Sequence, residues 1–83
     1  MRYKENLGKS AVLEIVFRDG QALGVVHRNN AVYVYKSIHE LMRDQEHGYS
    51  GVELAMVSPE VWESFLENSK TINFNSLINF KSL

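Results

Sequence analysis

His27, His39 and His47 are the side chains of this sequence best suited to metal ligation or general base catalysis, because imidazole titrates near neutrality and can offer zinc a neutral nitrogen. The pair His39-Glu40 opens like a zinc-protease helix, but the residue four positions after His39 is Arg43, which cannot ligate. His39 and His47 are eight residues apart. On one helix that separates them by ~12 Å along the axis, too far for a single ion. No metal site is expected, and His27, at the end of a predicted strand, reads as a partly buried, hydrogen-bonded sheet residue.

Nucleophilic catalysis needs Ser, Thr or Cys beside a base that a third group orients. The chain has no cysteine, and Ser37 and Ser58 are accounted for as helix caps. Gly20 and Gly24 lie in one hairpin with neither the lysine nor the helix of a phosphate-binding loop. Asp44 and Glu46 are acids on a helical face, where solvation is the ordinary explanation. These absences predict a protein that is not an enzyme and carries no cofactor.

Two surfaces remain. Tyr33 and Tyr35 are interleaved with Val26, Arg28 and Lys36, and the basic residues Arg2, Lys4 and Lys9 accompany Tyr3 near the N-terminus. Such a face can anchor a protein partner, or stack bases and track phosphates. The second surface is an acidic stripe of Glu60, Glu63 and Glu67 at helical spacing, suited to a basic groove.

The elements that position these residues follow from periodicity. From Ala11 to Arg18 the chain alternates as a strand, and Asp19-Gly20 marks a turn. A two-residue loop would set Leu13, Ile15 and Phe17 on the side of Ala22, Gly24 and Val26. A three-residue loop, Arg18-Asp19-Gly20, instead brings Ile15 opposite Leu23 and Leu13 opposite Val25. The second is preferred because it gathers the large aliphatics on one face. Asn29-Asn30 tolerates positive φ at both centres of a tight hairpin, and Ala31 to Lys36 is the third strand.

Ser37-Ile38-His39-Glu40 is a capping box that starts a helix, and Gly48 stops it. Residues 51 to 57 read as a fourth strand. Ser58-Pro59-Glu60 opens a second helix whose buried stripe is Val61, Trp62, Phe65 and Leu66. The segment 71 to 83 is too apolar for a free tail. It packs as a fifth strand, as a strand plus a helical turn, or against a second copy. Residues 1 to 10 are expected as a loose arm or a short edge strand. The fold class is therefore α+β in one domain over 1–83: a three-stranded antiparallel meander, then helix, strand, helix and a packed C-terminal segment.

Gly48-Tyr49-Ser50-Gly51 has the outline of the backbone-clamping loop of KH RNA-binding domains. The family's loop joins two helices and usually holds a basic residue, whereas this one joins a helix to a predicted strand and holds none. A helix stop followed by a turn accounts for the same glycines.

Charge is nearly balanced overall, at −1, but unevenly spread. Residues 1 to 36 carry six basic groups against three acidic, and residues 37 to 70 carry two against seven. No apolar run approaches the roughly 20 residues of a membrane helix or follows the N-terminus as a signal peptide would, so a soluble cytoplasmic protein without membrane partners is expected. The leading expectation is a small non-enzymatic interaction module, a regulator, adaptor or inhibitor of a larger protein, with homodimerisation an option. Accessory proteins of this sort are common in phages and mobile elements. The alternative is an RNA or single-stranded DNA binder using Tyr33, Tyr35 and Arg28.

Overall fold

In the computed structural model, which describes residues 1–48 and 51–82, the chain runs β1 (Arg2–Gly8), β2 (Ala11–Arg18), β3 (Gln21–Arg28), β4 (Ala31–Tyr35), α1 (Ile38–His47), β5 (Leu54–Val57), α2 (Pro59–Asn68) and α3 (Phe74–Lys81). The strands form one antiparallel sheet in the order β1-β2-β3-β4-β5. The expected α+β meander is present, with an additional strand at its N-terminal edge. Of the two readings of the first ten residues, the edge strand is the right one.

Two-residue loops join the first four strands, and each has both central residues at positive φ: Lys9 and Ser10 (51° and 62°), Asp19 and Gly20 (50° and 77°), Asn29 and Asn30 (55° and 60°). This is the backbone of type I′ turns, whose twist matches that of the strands they join. The hairpin at Asn29-Asn30 is the one expected. The three-residue loop expected at Arg18-Asp19-Gly20 is not formed, because Arg18 pairs with Gln21 and the aspartate accepts the left-handed conformation.

That single residue exchanges the faces of β2. Leu13, Ile15 and Phe17 oppose Val26, Gly24 and Ala22, while Val12, Glu14 and Val16 oppose His27, Val25 and Leu23. The large aliphatics are thus divided between two apolar faces, and helices cover both. Val16, Leu23, Val25, Val32 and Val34 pack beneath Trp62, Phe65 and Leu66 of α2 and Leu77 of α3. Leu13, Val26 and Tyr35 pack with Leu41 of α1 and with Val52 on the opposite face.

Both expected helix starts are made, though at Ser37 only the hydroxyl half of the expected capping box is present among the described residues. The Ser37 and Ser58 hydroxyls accept from the backbone N–H of Glu40 and Val61, each at 3.1 Å, and Gly48 closes α1 at φ 85°. Trp62 and Phe65 are fully buried. The fourth expected strand is shorter than 51 to 57, since Val52 is drawn into the core ahead of it and only Leu54–Val57 pair with β4. The C-terminal segment is a helix and not a strand. Asn73 and Ser76 cap it reciprocally, and Ile72 and Leu77 are buried in the α2-side core of the same chain. Of the loop compared with KH domains, Gly48 is the α1 stop, and Tyr49 and Ser50 lie outside the described residues.

Gly24 sets how closely α1 can approach the sheet. A β-carbon placed there would stand 2.6 Å from Leu41 Cδ2 and 3.0 Å from Ile38 Cδ1. Gly24→Ala should therefore push α1 off the sheet and destabilise the fold by about 1–3 kcal/mol. Chemical denaturation measures this, and an unchanged midpoint would mean that α1 does not rest on Gly24.

Candidate functional site

Beside α1, the sheet forms an open cleft of about 250 Å³ lined by Val26, Arg28, Tyr33, Tyr35, Asp44 and Leu54. Three strands and one helix build it. Val26 and Tyr33 face each other across β3 and β4, and Tyr35 pairs with Leu54 on β5. Val26 and Tyr35 are buried, Tyr33 and Leu54 half-buried, and Arg28 exposed at the rim. The Tyr35 hydroxyl donates to the Asp44 carboxylate of α1, which holds that wall in place.

Val26, Arg28, Tyr33 and Tyr35, the four sheet residues singled out in the sequence, are therefore brought together. Sequence reasoning missed Asp44 and Leu54. Asp44 was visible only as one acid on a helix face, and the helical phase that turns it toward Tyr35 depends on where Leu41 meets Gly24. Tyr35 is committed to packing and to Asp44, so Tyr33 is the accessible ring.

Other expected neighbours stand elsewhere. Lys36 pairs with Glu53 at 3.3 Å. Arg2, Tyr3, Lys4 and Lys9 belong to β1 and its turn, with β2 and β3 between them and Tyr33. Glu60, Glu63 and Glu67 lie on α2, across the sheet from the cleft, so the two candidate surfaces do not form one site. The stripe is also interrupted, because both Glu63 oxygens accept from the Arg2 guanidinium, at 2.8 and 3.1 Å.

Under α2 lies a polar constellation that the alternation of β2 concealed. The Glu14 side chain is fully buried, and its carboxylate accepts from Arg2 Nε (2.5 Å), His27 Nε2 (2.7 Å) and Trp62 Nε1 (3.2 Å). An ionised carboxylate only accepts, so His27 presents its Nε2–H. Burial pushes the Glu14 carboxyl up, yet the hydrogen bonds from Arg2, His27 and Trp62 together outweigh it and hold the group below its ordinary range. Arg2 likewise holds Glu63 low, and the two carboxylates raise Arg2. His39 is exposed and His47 lies 3.6 Å from Glu46. Among the described residues no three His, Asp or Glu side chains gather as metal ligands would, and no helix is long and apolar enough to cross a membrane.

Comparison with protein-family models, with curated proteins and with solved structures returns no match for this chain.

Glu14 and Glu63 are held below their ordinary value of 4.5 in the folded chain. Their stabilisation is present above that value and disappears as pH falls through the lower folded values. Glu14→Gln should cost about 1–3 kcal/mol at neutral pH, by weakening charge-assisted hydrogen bonds. Thermal melts at decreasing pH should show wild type losing stability faster than the variant below 4.5, so that the curves converge. Parallel curves would show that Glu14 does not contribute this linkage.

Proposed function

We propose that the chain is a small non-enzymatic interaction module, a cytoplasmic regulator, adaptor or inhibitor, that captures a side chain of a larger protein in the Tyr33 cleft. The observation that carries this reading is the cleft itself: an apolar floor of Val26, Tyr33 and Leu54 between a cation, Arg28, and a carboxylate, Asp44. At about 250 Å³ it is smaller than most small-molecule and cofactor sites, which run from roughly 300 to 1,000 Å³. It suits one aromatic or branched anchor, and anchors of this kind dominate protein interfaces. Arg28 and Asp44 can each take a polar tip of that anchor. A nucleic-acid backbone fits less well, because the Asp44 carboxylate stands in the same cleft as the one arginine.

The test is co-purification of tagged wild type and Tyr33→Ala from the native host, followed by calorimetry on the recovered partner. Tyr33→Ala should weaken binding by about 2 kcal/mol or more, about 30-fold, while keeping the fold. Affinity should change little with salt. A steep fall with salt, flattened by Arg28→Ala, would instead favour RNA or single-stranded DNA. A folded Tyr33→Ala, Arg28→Ala double variant that keeps full affinity for every partner would reject the cleft.

A further inference from the structure

β1 ends the sheet, so that among the described residues no strand pairs with its outer edge, and all of its residues but Leu7 are exposed. Met1 and Phe17 exchange both backbone hydrogen bonds, at 2.8 and 3.0 Å, and Tyr3 and Glu5 are the partners of Ile15 and Leu13. Hydrogen-bonded and non-hydrogen-bonded pairs alternate along an antiparallel ladder. Tyr3 and Glu5 therefore direct their N–H and C=O groups to β2, while Arg2, Lys4 and Asn6 direct theirs outward. Seven residues make up this edge, against four in β5, where Lys81 also reaches the Met56 carbonyl at 3.4 Å.

The two faces along that edge differ in chemistry. On the α1 face, Tyr3 and Phe17 are 49% and 46% exposed, with half-buried Ile15 between them. Leu41 rests on Gly24 and Asp44 turns toward Tyr35. The helical advance of about 100° per residue then turns Met42, 47% exposed, the other way, toward β2. Glu5 interrupts this apolar strip, but its carboxylate accepts from the Tyr3 hydroxyl at 2.9 Å. On the opposite face the edge carries Arg2, committed to Glu14 and Glu63, and Lys4, exposed, whose charge acts on Glu63 at a distance but makes no direct ion pair among the described residues.

We propose that the β1 edge receives an extended segment of a partner protein as a sixth strand, apolar where it borders Tyr3 and Phe17 and acidic where it borders Lys4. Strand addition supplies affinity through main-chain hydrogen bonds and specificity through alternate side chains. A second copy of this chain fits poorly. A twofold axis through the sheet sets each residue opposite one on the same face, which centres the pairing on a single position. Centring on Arg2, Lys4 or Glu5 opposes like charges, centring on Tyr3 opposes Arg2 to Lys4 of the other copy, and centring on Asn6 runs the pairing into the irregularity between Asn6 and Gly8.

Capped heptapeptides alternating valine with glutamate, or valine with lysine, test this by fluorescence polarisation and amide-shift mapping. The glutamate peptide should bind at least tenfold more tightly and shift the amides of Arg2, Lys4 and Asn6. Lys4→Pro should abolish binding, since the N–H it removes faces outward and leaves the β2 ladder intact. Lys4→Glu keeps that donor and should reverse the preference between peptides, which provides a test even if the proline variant does not fold. Tyr33→Ala should bind the peptide as wild type does, so failure here and failure of the cleft are distinguishable. Equal affinity for both peptides, shifts confined to other elements, wild-type binding by both Lys4 variants, or self-association of the free chain through β1 would each overturn the proposal.

Discussion

A buried carboxylate must be surrounded by donors, and the Glu14 carboxylate organises this molecule. Leaving such a charge unpaired away from water costs several kcal/mol, so the elements around it are constrained to deliver hydrogen bonds. Arg2 arrives from β1, His27 from β3 and Trp62 from α2. Arg2 then extends the connection to Glu63 on the exposed side of α2. One side chain in β2 thereby ties the edge strand, the neighbouring strand and a covering helix together. Fixing the Trp62 ring also sets its neighbours, with Phe65 at 5.9 Å and Phe80 of α3 at 5.6 Å from Phe65.

The position of Glu14 is inseparable from the register of β2. Once Glu14 faces α2, period-two alternation sends Leu13, Ile15 and Phe17 to the other face, which needs a cover of its own. α1 supplies only part of it. The helix settles on Gly24, closes over Leu13 and Val26 with Val52, and leaves the Tyr33 cleft on one flank and Tyr3 and Phe17 exposed on β1 and β2. Both proposed docking surfaces are thus consequences of one narrow helix on a wide sheet. The opposite face, under α2 and α3, holds the larger core.

Local chemistry was readable wherever one residue type suffices. Ser37, Ser58 and Pro59 mark helix starts, Asn29-Asn30 marks a hairpin, and Trp62, Phe65 and Leu66 mark a buried stripe, all without tertiary knowledge. Lys9-Ser10 was unreadable as a tight turn because neither residue favours left-handed backbone, so β1 stayed ambiguous. The register at Asp19-Gly20 is not legible from hydrophobicity, because the large aliphatics are divided between two covered faces. Glu14 among valines carries no local signal of its burial, and its partners Arg2 and Trp62 are 12 and 48 positions away, a distance no local pattern spans. Asn73 and Ser76 did carry a capping signal for α3, which the alternation of Ile72 and Phe74 obscured. Within the candidate site, Tyr33, Tyr35, Val26 and Arg28 were legible because they share a strand face whichever way β2 registers. Asp44 and Leu54 were not, since their inclusion depends on helix phase and on β5 pairing.

The most direct test of the central role of Glu14 is a carbon-13 NMR titration of its side-chain carboxyl in the folded protein. A midpoint clearly below the ordinary glutamate value of 4.5 is predicted, with the Trp62 indole and His27 ring resonances moving in the same transition. A midpoint at or above that value, or a titration that leaves Trp62 and His27 unmoved, would contradict a buried ionised carboxylate as the constraint on which the fold depends.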